Sequence, residues 1–300
     1  MSNFDDIFSA TAEKNAQTDR PFDKKVWAAK KQEQRQAIYD LADSTAEAVA
    51  ADGSKFQTYL DVQSRFDRYT ATNALLILAQ KPEATQLRDF ESWRSTGAFI
   101  KRQEMGHGIS ILEPGDEYTR EDGSIGTYYN VKKVYDVSQV NSRSRAQSAV
   151  SMDERLLLKA LIHRPPVPMQ TVDELPNNMG ALYDHDQRVI FVRRGMTADD
   201  IFRSVSKELA HAELAGTRTE YRREDAAFAA YSVSYMLCRK YGIDVSGYDF
   251  SRLPEGFQEA EPQSIRAALS EMRDTANDIS GRMYRVLEQN KTPKSKEQER

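Results

Sequence analysis

The chain of 300 residues has one cysteine, Cys238, and only four histidines. A single cysteine excludes an internal disulfide framework and any cysteine-rich metal site. No apolar run approaches the roughly 18 residues that a membrane-spanning helix needs, so no membrane partner is expected. The N-terminal segment MSNFDDIFSATAEK has no basic start followed by an apolar stretch, which predicts that it is not a secretory signal. These absences together indicate a cytoplasmic protein.

The chain also lacks an excess of positive charge. It carries 42 Lys and Arg against 46 Asp and Glu, a formal net charge of −4. This balance argues against a strongly basic nucleic-acid binder, although a local basic groove remains compatible with it. The length suits two domains with substantial cores.

The first half of the sequence predicts an α+β domain. Residues 1–43 form a charged N-terminal arm, and residues 44–80 show apolar residues at helical spacing. A short helix from Asp89 to Thr96 precedes a strand at 109–112, a hairpin turn at 121–123, and a second strand through 128–137. The domain is therefore placed at 44–141, and the polar segment 142–152 is interpreted as a linker.

The second half, 153–288, predicts a mainly helical domain with a small sheet. A helix over 153–162 is followed by a hairpin, ALYD and VIFV, that turns at His185 and Asp186. Thr197 caps a helix, a second helix runs from Arg223 to Tyr241, and a third covers Pro262 to Leu287. The tail 289–300 has nothing to bury and is predicted to be disordered. The fold class is α+β.

One helix carries a pattern typical of metal chemistry. Zincins use His-Glu-x-x-His, because residues i and i+4 share a helix face and the Glu reaches the metal-bound water. Here Glu208 and His211 keep the last part of that pattern, while Lys207 holds the position of the first histidine. An isolated Glu-x-x-His fits an ordinary helix with solvated Lys207 and Glu208 and a packed His211. The order of hairpin, motif helix and second helix, however, is that of a zincin.

Longer segments resemble a known family. The segment from Gln63 to Pro114 and GTYYNVKKVYDVSQVN resemble the N-terminal domain of ArdC-type antirestriction proteins and of LtrC-like proteins of conjugative elements. ALYDHDQRVIFVRRGM and KELAHAEL are similar to the family's second domain. The resemblance implies a domain associated with single-stranded DNA binding, followed by a zincin-like metallopeptidase domain. The residues in family order are Arg65, Tyr69, Asn73, Gln80, Trp93 and Gly97.

The sequence departs from the family at the metal motif. Lys207 stands at the first zinc histidine, and an ammonium has no lone pair to donate. The family's acidic third ligand falls near Ala229 or Tyr231, and neither can replace it. Glu208 is therefore predicted to be a vestigial catalytic base and His211 a vestigial metal ligand. No cofactor is expected, and the domain is interpreted as a pseudo-peptidase.

A nucleic-acid site needs cations that follow the backbone and aromatic rings for stacking. Residues 44–141 carry 11 Lys and Arg against 14 Asp and Glu, a net charge of −3, so long-range attraction is missing. Core packing is the alternative role for Tyr69 and Trp93, and strand alternation would separate Lys132 from Lys133. The predicted nucleic-acid-binding residues are Arg65, Arg68, Tyr69, Asn73, Trp93, Lys101, Arg102, Lys132 and Lys133.

Three hypotheses stay open. The leading one is an antirestriction-like accessory protein of a mobile element that binds single-stranded DNA and has a lapsed metallopeptidase domain. The second is an active zinc metallopeptidase with an unusual ligand set around Glu208 and His211. The third is a protein-interaction module whose pseudo-peptidase groove holds a peptide or protein partner without cutting it.

Overall fold

The computed structural model describes residues 24–120, 122–141 and 153–290, and it confirms the α+β class. In these ranges, no helix combines the length and the apolar character needed to cross a membrane. Residues 1–23, the predicted linker 142–152 and the tail beyond 290 lie outside the described residues. The helices are α1 (Lys24–Ala51), α2 (Gly53–Arg65), α3 (Ala71–Gln80), α4 (Phe90–Ser95), α5 (Glu154–Leu161), α6 (Ala198–Thr217), α7 (Arg223–Tyr241), α8 (Glu255–Gln258) and α9 (Pro262–Gln289). The strands are β1 (Leu87–Arg88), β2 (Phe99–Ile100), β3 (Ile109–Thr119), β4 (Ile125–Asp136), β5 (Val140–Asn141), β6 (Met169–Val172), β7 (Ala181–Asp184) and β8 (Val189–Arg193).

The predicted helical region 44–80 is divided into separate helices. Helix α1 begins at Lys24, so it continues across the predicted boundary between the arm and the first domain. Asp52 interrupts it and caps α2, because its carboxylate accepts hydrogen bonds from the N–H groups of Ser54 and Lys55. Thr70 caps α3 in the same way through the N–H of Asn73. The loop 66–70 between α2 and α3 bears two of the predicted site residues.

The predicted hairpin in the first half is confirmed. Strands β3 and β4 pair antiparallel, and β1 adds to the other edge of β4, giving the order β1-β4-β3. Strands β2 and β5 form a separate antiparallel pair. Asp136 ends β4 and holds the segment before β1, because its carboxylate accepts from the N–H groups of Thr85 and Gln86 at 2.7 and 3.0 Å. Strand β4 also contacts α4, because the indole N–H of Trp93 donates to the carbonyl of Tyr135 at 2.8 Å.

The second half confirms the predicted hairpin and helices. Strands β7 and β8 pair antiparallel, with Asp184 opposite Val189. Strand β6, which the sequence did not predict, pairs parallel with the other edge of β8. Helix α6 is capped by Thr197, whose hydroxyl accepts from the N–H of Asp200, and α7 ends at Gly242, which has a left-handed backbone.

One large core contains side chains from both predicted domains. Phe56 of α2 packs against Phe228 of α7 and against Phe250 and Phe257 beyond it, with ring centroids 5.0 to 5.5 Å apart. Gly53 allows this approach, since a Cβ atom there would lie 1.8 Å from the carbonyl oxygen of Phe250. The division into two domains stays a prediction. In the structure, α2 and α7 are packed as neighbours within a shared core.

Candidate functional site

Glu208 and His211 lie on the buried face of α6. Both side chains are almost fully buried, at 0% and 2% exposure. Their spacing of three places them on one side of the helix, where α7 and β7 pack. Lys207, in the position of the missing first histidine, is partly exposed, and its Nζ lies 3.7 Å from Oε1 of Glu208.

The carboxylate of Glu208 is neutralised by an arginine. Nη1 of Arg223 donates to Oε2 and Nη2 donates to Oε1, each at 2.8 Å. The backbone N–H of Tyr183 donates to Oε2, also at 2.8 Å. Burial works to lower the pKa of Arg223, but the hydrogen bonds and charge of Glu208 outweigh it and hold the pKa above its usual value. The pair is a bidentate guanidinium–carboxylate contact, the strong form of such an interaction.

His211 lies beside this pair in an aromatic environment. Its Nδ1 is 3.0 Å from the hydroxyl of Tyr221, whose ring also lies 4.8 Å from that of His185. Burial lowers the pKa of His211 to about 4, so its imidazole is neutral near pH 7. Burial also raises the pKa of Tyr221 to about 12, so this hydroxyl keeps its proton. The sequence placed His185 in a turn, and the structure brings its ring to the tyrosine that contacts His211.

This donor set does not fit a zincin-type metal site. A catalytic zinc needs three protein ligands and an open position for water. Both oxygens of Glu208 accept from Arg223, and Lys207 adds a second cation nearby. In the described part of the chain, no cluster of three or more His, Cys, Asp and Glu side chains is arranged to hold a metal ion. No metal-dependent step follows from these residues.

The two positions aligned with the family's third ligand have other roles. Ala229 is buried and has no donor atom. The Tyr231 hydroxyl accepts a hydrogen bond from the N–H of Asp249 at 2.8 Å, and its ring packs against Tyr248 and Phe250. Tyr231 is thus engaged with the segment that follows α7.

Four of the predicted nucleic-acid-binding residues meet in one groove of about 640 Å³, which we call groove A. It lies between loop 66–70, α3, α4 and the sheet. Its walls bring together guanidinium, ammonium and aromatic groups with several hydroxyls. The predicted residues that line it are Arg68, Tyr69, Asn73 and Lys132. Groove A also contains Arg88 and Tyr129, which the sequence reasoning missed.

The charges in groove A are partly compensated. Lys132 forms ion pairs with Asp89 at 2.9 Å and Glu113 at 2.7 Å. Three cations therefore line the groove against two carboxylates, and the excess is carried by Arg68 and Arg88. Arg68 is exposed, and Arg88 lies over the ring of Trp93 at 5.1 Å. The groove is locally positive within a region of negative net charge.

Asn73 shapes the wall of groove A. Its side-chain amide donates to the carbonyl of Leu112 and accepts from the N–H of Leu112, both at 2.8 Å. This double contact attaches α3 to strand β3. Asn73 therefore holds two walls of groove A, α3 and β3, against each other.

The remaining predicted residues lie outside groove A. Trp93 is 3% exposed and donates its indole N–H to the carbonyl of Tyr135 at 2.8 Å, so base stacking on it would need this small core to open. Lys101 donates to the carbonyl of Ser138 at 2.7 Å. The other three are exposed on the surface: Arg65, which donates to the carbonyl of Pro82, Arg102 and Lys133.

The sequence reasoning also missed the partner of Glu208. From the sequence, Arg223 is predicted only as the start of a helix, and neither Tyr183 nor Tyr221 is predicted as a site residue. The signal was present in part, because a carboxylate buried on a helix needs a partner and Arg223 begins the next helix. The spacing of residues along the chain does not show which of several nearby arginines pairs with Glu208.

Comparisons with known proteins give two similar structures. No protein-family model matches the chain, and no curated protein matches it. The metal-free crystal structure of the antirestriction ArdC protein from the R388 plasmid is 15% identical with a TM-score of 0.44, over 72% of this chain and 86% of that chain. The Mn(II)-bound structure of the same protein is 14% identical with a TM-score of 0.48, over 73% and 84%. Both structures are of the family that the sequence resembles.

Proposed function

We propose that this protein binds single-stranded nucleic acid in groove A, as an antirestriction-like accessory protein of a mobile element. The observation that carries the proposal is the convergence of Arg68, Tyr69 and Lys132 with Arg88 and Tyr129 on one open groove. Cations aligned with aromatic rings suit a strand whose phosphates and unpaired bases are both accessible. The antirestriction role and the mobile-element context come from the sequence resemblance.

The site favours single strands over duplexes. Tyr69 and Tyr129, both half-buried, line the groove, and a tyrosine ring stacks readily on a base that is not paired within a helix. The groove has a small excess of positive charge, and the chain as a whole is acidic. Binding should therefore depend on local contacts and weaken clearly with salt.

The direct test measures the fluorescence anisotropy of a labelled single-stranded oligonucleotide. Replacing Arg68 and Arg88 together by Gln should weaken binding roughly tenfold or more, because two charge-assisted phosphate contacts are lost. The matched control replaces two exposed arginines outside the groove, Arg155 and Arg252, by Gln. Equal weakening in both double variants, or no binding by the unaltered protein, would overturn the proposal.

The second part of the proposal is that the metallopeptidase site has lapsed. Support comes from the contact of Arg223 with Glu208, since a carboxylate held by a guanidinium is not available to accept a proton from water. The test is the metal content of the purified protein after exposure to zinc and desalting. We expect a ratio near zero, whereas about one zinc per chain that is lost in His211→Ala would favour the active-peptidase hypothesis.

A further inference from the structure

A second groove adjoins groove A on the other half of the molecule. This groove B, of about 410 Å³, lies between loop 66–70, the end of α7 and one face of α9. Arg68 lines both grooves, so their walls meet at that side chain. The lining residues of groove B include Asp67, Arg68, Lys240, Arg273, Gly281 and Tyr284.

Groove B has the chemistry of a phosphate-binding surface. Three cations line it, Arg68, Lys240 and Arg273, against one carboxylate, Asp67. Asp67 pairs with Lys240 at 2.7 Å and Asp274 pairs with Arg273 at 2.6 Å, so the excess positive charge of groove B is carried by Arg68. The whole chain has an excess of negative charge, so this local excess of positive charge is a segregated feature and not a reflection of composition.

An exposed aromatic ring completes groove B. The side chain of Tyr284 is 57% exposed, although the apolar face of α9 is buried. Arg273, Asn277, Gly281 and Tyr284 are spaced by four, four and three residues, so they share a separate polar face of the helix. Gly281 leaves the space beside Tyr284 open, because a Cβ atom there would meet nothing within 4 Å. A base can therefore approach the ring.

The polar face of α9 also fixes the loop that joins the two grooves. The carbonyl of Asp67 accepts from Nδ2 of Asn277 at 2.9 Å and from Nε of Arg273 at 3.4 Å. Loop 66–70, which carries Arg68 and Tyr69, is thus held from the second half of the chain. The relative position of grooves A and B is set by these contacts.

We propose that groove B is a second segment of the nucleic-acid site, so that one single strand passes from groove A over Arg68 into groove B and stacks a base on Tyr284. This inference rests on the proposed function of groove A. It assigns a binding role to the second half of the chain, in a region separate from Glu208 and His211. The ligand is the sugar-phosphate backbone together with an unpaired base.

Gly281 offers a test that leaves the contacts of the groove intact. Glu, Gln and Lys at this position should be accepted by the fold, since the site is open and each residue favours a helix more than Gly does. A carboxylate in groove B should weaken binding of an oligonucleotide of about 20 nucleotides by roughly threefold to tenfold relative to Gln, and Lys should strengthen it. Gly216→Glu is the matched control, because Gly216 is an exposed, open glycine near the end of α6.

The outcomes separate this inference from the proposed function. An oligonucleotide affinity that rises from Gly281→Glu through Gly281→Gln to Gly281→Lys, with the affinity of Gly216→Glu unchanged, supports a nucleic-acid strand in groove B. If the three Gly281 variants bind the oligonucleotide with equal affinity while Arg68→Gln/Arg88→Gln binds it more weakly, the site is confined to groove A. That result overturns the proposal that groove B is a second segment. No binding by the unaltered protein overturns both.

Discussion

Replacing Arg223 by Met should destabilise the protein strongly, because the change leaves the carboxylate of Glu208 buried without its counter-ion. Glu208 is 0% exposed, and its two oxygens accept both guanidinium hydrogen bonds. Removing one partner of a buried ion pair costs about 3 to 5 kcal/mol. The Tyr183 N–H remains, and Lys207 lies 3.7 Å away, so we expect about 3 kcal/mol.

Replacing the other partner of the pair, Glu208, should lower the free energy of unfolding less. Glu208→Gln leaves the charge on Arg223, whose side chain is 29% exposed and can be hydrated, so we expect a loss of about 1 to 2 kcal/mol. The double variant Glu208→Gln/Arg223→Met should be more stable than Arg223→Met alone, since it carries no unpaired buried charge.

The assay is denaturant unfolding followed by circular dichroism. The control is Arg222→Met, because Arg222 is the exposed neighbour of Arg223 and its side chain does not cap the helix. A loss below about 1 kcal/mol for Arg223→Met, or equal losses for the two arginine variants, would refute the assignment of Arg223 as the counter-ion of Glu208.

Three further predictions concern single positions in the packed parts of the fold. The pKa of His211 is lowered from 6.5 to about 4 in the folded protein. Its contribution to stability is therefore complete above pH 6.5 and is lost as the pH falls toward 4, by about 3 kcal/mol in total. The variant His211→Gln should flatten this part of the profile of stability against pH, measured by urea unfolding. Trp93→Phe should lower the free energy of unfolding by about 1 kcal/mol through the lost hydrogen bond to Tyr135, and should leave oligonucleotide affinity unchanged if the indole has no stacking role. Gly53→Ala should lower the melting temperature clearly, because the new Cβ atom would collide with the carbonyl of Phe250, and an unchanged melting temperature would contradict the close approach of α2 to that segment.

Local signals made part of the fold predictable. The cap at Thr197 and the helix end at Gly242 follow from neighbouring residues, and the structure has both. The interruption at Asp52 had a local signal as well, since Asp before Gly and Ser is a typical start of a helix, but the apolar spacing around it favoured a continuous helix. Strand β6 pairs parallel with a distant strand and carries no hairpin turn to indicate its partner.

The candidate site was predictable where it depended on residue type and hidden where it depended on packing. The sequence shows Lys207 at the position where the His-Glu-x-x-His pattern has its first histidine. The contact of Arg223 with Glu208 is not visible in the sequence, because it joins two helices across the core. In groove A, the sequence indicated Arg68 but not Arg88, which is brought there by the pairing of β1 with β4.

The salt dependence of oligonucleotide binding tests the central claim most directly. For single strands, the logarithm of the binding constant falls with the logarithm of salt concentration by about 0.7 for each phosphate contact. The account predicts measurable binding with a clear slope for the unaltered protein, and a slope smaller by about 1.4 when Arg68 and Arg88 are both replaced by Gln. Binding whose slope is the same in that variant would place the phosphate contacts elsewhere, and the absence of salt-dependent binding would contradict a nucleic-acid role for groove A.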